Sequence, residues 1–173
     1  LTARELTSIE SPTVRLLNVG EESNKGREDI QQAAALLEAD PEINYCGYIE
    51  GDGIFQGGTD VIVCDGFAGN VALKTSEGLV TMVGERFRQA VGRGWLARLA
   101  LLLLRGPLLR LKTQLDPALY NGAYFLGLDG VVVKSHGGAS QMAFVRALEV
   151  ATQAAEHNLP EILSPILRQK LNQ

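Results

Sequence analysis

The order of residue patterns along this 173-residue chain predicts an α/β fold with a mainly parallel sheet. Three observations predict it. Short β-branched runs alternate with stretches whose apolar residues recur at helical spacing. One run, DVIVC (60–64), is unbroken in apolar character, as in a strand buried on both faces of a parallel sheet. Each run also ends in a polar, glycine-bearing tip, where such sheets bind ligands.

Taken in order, TVRLLNVG (13–20) reads as a strand and EESNKG (21–26) as its loop. REDIQQAAALLEA (27–39) places Ile30, Ala33, Ala34 and Leu37 on one helical face, with Glu28 and Asp29 at the positive end of the helix dipole. Asp40-Pro41 ends it. INYCGYIE (43–50) is the next strand and GDGIFQGG (51–58) its loop; 60–64 is the third strand. NVALKTSEGLVTMVGERFRQAV (70–91) is helical. GVVVKSHGG (130–138) repeats the strand-then-tip grammar, ASQMAFVRALEVATQAAEHN (139–158) is a long helix, and PEILSPILRQKL (160–171) closes the domain. One α/β domain over 1–173 is therefore expected.

Composition narrows the function classes. With 46% apolar and 21% charged residues the chain is an ordinary globular protein and not a disordered one. Two distant cysteines make neither a disulfide framework nor a zinc site, so a reducing cytosol is expected, with no metal and no cofactor. GxGxxG after a strand, GxxxxGK[ST], GxSxG and HExxH are all absent. The first residues show no secretory leader, and the missing initiator Met points to a processed chain, a fragment or a half.

Charge is unevenly placed. Between Arg86 and Lys112 lie seven basic residues and no acidic one, while the rest of the chain is strongly acidic. Within this island RGWLARLALLLLRGPLLRLK (93–112) has only six uninterrupted apolar residues, against the ~20 needed to span a bilayer. Gly106-Pro107 is expected to break it into two short amphipathic helices, a hairpin insertion over 93–115. Trp95, Leu96, Leu99, Leu103 and Leu108 with flanking arginines fit contact with an anionic membrane surface or an acyl chain; a subunit interface or an acidic partner protein are the other uses of such a surface. No nucleic-acid partner is expected.

Chemistry is expected at the tips. Backbone N–H groups in a glycine turn before a helix bind anions, and DGFAGN (65–70) and KSHGG (134–138) have that form. Lys25, Lys74 and Lys134 supply positive charge, so phosphate is the favoured ligand. His136 sits at a strand tip as a donor or general acid, or as a simple turn residue; His157 reads as a surface residue. Cys64 ends an apolar run with no neighbouring His, which favours a buried strand residue over a nucleophile, and Cys46 is less suited still.

Together, NVGEESNKG (18–26), YIEGDGIFQGGTDVIVCDGFAGNVALKTSEG (48–78) and YNGAYFLGLDGVVVKSHG (120–137) resemble the bacterial phosphate acyltransferase family of phospholipid synthesis, the PlsX family, over about residues 13–156. Members of that family are longer and begin with an MGGD motif, so this chain resembles their C-terminal part. The resemblance implies a three-layer α/β/α fold shared with isocitrate and isopropylmalate dehydrogenases, formation of acyl-phosphate from fatty acyl–acyl carrier protein and inorganic phosphate, a homodimer, and a cytoplasmic protein peripherally associated with the membrane. A membrane glycerol-phosphate acyltransferase would receive the product. On this reading Lys25 and Lys134 carry charge for phosphate or oxyanion, Asn18 and Asn70 donate hydrogen bonds, and His136 serves the departing thiolate. Amides at Gly66, Phe67, Ala68, Gly69 and Gly137 cradle phosphate, with Gly20, Gly26 and Ser135 in the same loops. Glu21, Glu22 and Asp65 orient the lysines. Phosphotransacetylase-like chemistry on a coenzyme A thioester, or a non-catalytic phosphate-binding fragment, are the competing readings.

Overall fold

The computed structural model describes residues 2–7, 9–91 and 94–171, with the side chains of Leu96, Arg98, Pro117, Lys170 and Leu171 outside the description. Arg93, the expected start of the hairpin insertion, and the side chains of Leu96 and Arg98 thus lie outside the described residues. The chain divides into two compact units, Leu1–Ala72 and Leu73–Gln173.

The first unit opens with a short helix α1 (Thr2–Thr7) and builds a three-stranded parallel sheet from β1 (Thr13–Leu17), β2 (Asn44–Ile49) and β3 (Val61–Val63), in the order β2-β1-β3. Leu16 aligns with Tyr48 on one side and with Val63 on the other, so all three strands end side by side. Between β1 and β2 runs α2 (Glu28–Glu38), as its helical spacing requires. Its Ala34 packs with Leu16 and Tyr48, flanked by Ile30, Ala33, Leu37 and Tyr45. A register shift between Val14 and Leu16 puts a bulge at Cys46-Gly47 of β2. The extra residue turns Tyr45 and Tyr48, which would otherwise face opposite sides, onto the same core.

Two expectations for β3 need correction. Val61 and Ile62 are half-buried, and Val63 and Cys64 are exposed. Among the described residues β3 pairs with β1 only and stands at the edge of this sheet, so it is less buried than an unbroken apolar run suggests. Cys64 is therefore not a packed hydrophobe.

α3 (Gly66–Val91) begins four residues earlier than expected and runs through the division between the units. α4 (Trp95–Leu103) and α5 (Arg105–Gln114) meet at Leu104, with φ −89° and ψ 2°. The expected break at Gly106-Pro107 does not occur. Pro107 stands in the first turn of α5, where a backbone N–H has no intrahelical acceptor to lose.

In the second unit, β4 (Ala123–Tyr124) and β5 (Val133–Lys134) form an antiparallel ribbon. The run at 130–138 thus yields a two-residue antiparallel strand, not another parallel one; Gly130 and the glycines after the tip shorten what three valines would extend. α6 (Gln141–Glu156) is capped by Ser140, whose Oγ accepts from Ala143 N–H at 3.2 Å. Ala143, Ala147 and Ala154 bury its small-residue face, and α7 (Leu159–Leu171) adds Leu159 and Leu163 to that core.

Candidate functional site

The loop after β1 is tied down by hydrogen bonds from Asn18 and from α2. Asn18, 7% exposed, follows β1 directly, and its N–H donates to Ile49 O at 2.9 Å, extending the ladder by one bond. Its Nδ2 donates to Lys25 O at 3.1 Å. From α2, Gln31 Nε2 reaches the same backbone, with Asn24 O at 3.4 Å, Lys25 O at 3.4 Å and Gly26 O at 3.2 Å. Lys25 N–H in turn donates to Glu22 O at 3.0 Å. The backbone of Lys25 is thereby fixed from two sides while its side chain is exposed. Asn18, expected as a donor to the anion, commits one of its amide N–H groups to the loop. Gln31 has no counterpart among the sequence expectations; its helical register gave no sign that it reaches back.

Among the described residues no ion pair joins Glu21, Glu22 or Asp65 to a lysine. Glu21 Oε1 lies 3.9 Å from the guanidinium of Arg15, whose Nη1 also donates to Tyr48 O at 3.0 Å. Glu22 folds over Gly20 together with Lys25. A Cβ on Gly20 would stand 2.7 Å from Glu22 Oε2 and 3.1 Å from Lys25 Cγ.

At the end of β3, Asp65 caps α3. Its Oδ1 accepts from Phe67 N–H at 2.9 Å and Ala68 N–H at 3.0 Å. Two of the amides expected to cradle phosphate therefore already face a carboxylate of their own chain, while Gly69 N–H bonds Asp65 O within the helix. Phe67 and Asn70 are exposed on the first turns, and Gly69 lies close behind Cys64, its absent Cβ only 2.9 Å from Sγ. A cleft of about 230 Å³ opens beside this turn, lined by Leu17, Ile30, Ala33 and Cys64 among others. The Ala68 amide holds the Asp65 carboxyl below its usual range against desolvation, the next largest effect, with lesser help from the Phe67 amide and the Arg27 charge. A carboxyl lowered on folding adds stability above the ordinary value near 4, lost as pH falls through the lower folded value. Asp65→Ala is thus expected to lower the thermal midpoint at neutral pH and to flatten its acid dependence below about pH 4. Equal midpoints for the two proteins at pH 7 would show that the cap contributes nothing.

In the second unit Lys74 lies in the third turn of α3, not in a strand-end turn. Lys134 ends β5 with its side chain exposed, followed by Ser135, His136 and Gly137. Asn121 binds this tip from outside. Its Oδ1 accepts from His136 N–H at 2.8 Å, and its Nδ2 donates to Ser135 Oγ at 2.8 Å and Ala143 O at 2.7 Å. Gly138 N–H donates to His136 Nδ1 at 3.1 Å. Sequence reasoning passed over Asn121, whose partners stand 14 to 22 residues away. Trp95, Leu99 and Leu103 of α4 are exposed and Leu108 of α5 is half-buried. Among the described residues no helix is long and apolar enough to cross a membrane.

Residues 2–162 match the family profile described as "Fatty acid synthesis protein". A phosphate acyltransferase of Alcanivorax borkumensis is 50% identical over 166 residues, covering 96% of this chain and 49% of that protein. One from Halorhodospira halophila is 48% identical over 95% of this chain and 48% of its own length. A third, from Pseudomonas syringae, is 49% identical over 92% and 47%. The chain spans about half the length of the curated relatives it matches. With nearly all of its sequence matched by that profile and by these relatives, the chain belongs to the fatty acid synthesis protein family.

Proposed function

We propose that this chain forms part of a phosphate acyltransferase that makes acyl-phosphate from fatty acyl–acyl carrier protein and inorganic phosphate, on a three-layer α/β/α fold of the isocitrate and isopropylmalate dehydrogenase kind. The observation that carries the reading is the identity of about half to relatives named phosphate acyltransferase over 96% of the chain, a span that includes both lysine-bearing tips. Phosphate needs no activated side chain to act as a nucleophile at neutral pH. Its oxygen attacks the thioester carbon, the carbonyl oxygen takes the negative charge, and the C–S bond then breaks to release a thiolate. The protein must gather anions and stabilise the oxyanion.

Lys25 and Lys134 supply charge for phosphate or oxyanion, and Asn70 and His136 supply hydrogen-bond donors. Gly66 and Gly137 offer backbone amides to the phosphate, with Ser135 beside the second. Asn18 serves by fixing the carbonyl of Lys25.

The test is a chimera in which this chain replaces the corresponding half of the Alcanivorax borkumensis protein. Lys25→Ala and His136→Ala are each expected to lower acyl-phosphate formation by about 10²-fold, while Cys64→Ala keeps it. Near-normal turnover in the first two removes those residues from the mechanism. Preference for coenzyme A thioesters over acyl carrier protein would move the reading to phosphotransacetylase-like chemistry.

We place a peripheral membrane role on α4 and α5, in a cytoplasmic protein that forms a homodimer and hands its product to a membrane glycerol-phosphate acyltransferase. Exposed Trp95, Leu99, Leu102 and Leu103 beside Arg105, Arg110 and Lys112 support it, since apolar residues and cations together favour an anionic bilayer surface. Removing residues 95–112 is expected to abolish sedimentation with anionic vesicles. Undiminished sedimentation would defeat this role.

A further inference from the structure

We propose that Asn121 is a positioning residue that holds the Ser135–His136 tip and so sets the tautomer of the neutral His136 imidazole, with its proton on Nε2. The inference deepens the acyltransferase reading, on which it rests for its use. A fixed Nε2–H is a hydrogen-bond donor to an anionic oxygen, whether of phosphate or of the thioester oxyanion.

The geometry points to this through a closed set of bonds. Asn121 uses both amide functions: Oδ1 receives the His136 N–H, and Nδ2 is shared between Ser135 Oγ and Ala143 O, in the first turn of α6. The tip is thereby tied to the helix beneath it. Asn121 is itself anchored, because Gly122, at φ 113°, lies against α6. A Cβ there would stand 3.0 Å from Ala147 Cα and 3.1 Å from Val150 Cγ2, so only glycine lets the chain pass so close.

With the His136 backbone held, the turn closes on the ring. Ala139 N–H donates to His136 O at 3.0 Å, and Gly138 N–H donates to His136 Nδ1 at 3.1 Å. A nitrogen that accepts a backbone N–H cannot carry a proton, so in the neutral ring the proton belongs to Nε2. The ring is otherwise exposed and would exchange freely between tautomers.

The chain has two histidines, so long-range proton–nitrogen NMR of the ¹⁵N-labelled protein resolves the question directly. His157→Ala assigns the remaining ring to His136. Two pH units above the ordinary imidazole pKa, about 8.5, wild-type His136 is expected to show a protonated Nε2 and a bare Nδ1. Asn121→Ala is expected to shift it to the averaged pattern of a free imidazole, with His157 signals and helix content unchanged. A proton on Nδ1 in the wild type overturns the proposal, as does an Asn121→Ala spectrum identical to wild type. If alanine unfolds the unit, the wild-type spectrum still decides the tautomer. Asn121→Asp, which keeps the acceptor for His136 N–H, then decides the hold: a fixed tautomer supports it and an averaged one overturns it. Lack of acyl-phosphate formation would count against the proposed activity and leave this imidazole readout untouched.

Discussion

Gly26→Ala is expected to destabilise the first unit by about 2–5 kcal/mol, the sum of a left-handed backbone penalty of ~1–2 kcal/mol and a displaced buried amide at ~1–3 kcal/mol. Gly26 has φ 87°, and a Cβ added there would clash severely with Asn18 Oδ1. Asn18 is buried and cannot retreat without giving up its bond to Lys25 O. The substitution therefore loosens the carbonyl that fixes the Lys25 loop as well as straining Gly26 itself. Urea unfolding followed by circular dichroism measures the loss, and a change below about 1 kcal/mol would mean that the loop yields freely. In the chimera the same variant is expected to lower acyl-phosphate formation more than its stability loss explains, because Lys25 is displaced.

Leu159→Ala should cost the second unit about 2–5 kcal/mol, the range for emptying a packed leucine site. Leu159 is the largest side chain with no exposure, at the start of α7 beside the fully buried Ala154 of α6. The buried residues of α6, Ala143, Ala147 and Ala154, are too short to refill the space, so the cavity persists. The neighbouring Asn158 offers a contrast. It adopts φ 52° between the two helices, where glycine is equally at ease, so Asn158→Gly is expected to change stability by less than about 1 kcal/mol. Parallel thermal melts that show the reverse ranking would place the core elsewhere.

Much of the architecture was legible in residue order. The spacing of Ile30, Ala33, Ala34 and Leu37 defines the inward face of α2, and β1 and β2 fall within a few residues of their apolar runs. These features depend on local periodicity, which a sequence carries in full. Strand β3 was placed but its burial misjudged, because an apolar run looks the same in the centre of a sheet and at its edge. The bend at Leu104 escaped notice for a related reason: Gly106-Pro107 is a strong local signal, yet proline is harmless in a first helical turn.

The tips follow the same division. Lys25, Lys134 and His136 could be found because a polar residue after an apolar run marks a strand end. Their surroundings could not. Asp65 reads as a turn residue but spends its carboxylate on the amides of α3, and Glu21 meets Arg15 instead of a lysine.

Local periodicity and motif order, which are properties of neighbouring residues, were enough for the α/β class, for β1, β2, β3, α2 and α6, and for the family. Only the tertiary structure decided that β3 is an edge, that β5 pairs antiparallel with β4, and that Gln31 and Asn121 hold the lysine-bearing loops. Those outcomes rest on hydrogen bonds between residues far apart in the chain, whose partners are chosen by how the elements pack and leave no local mark in the sequence.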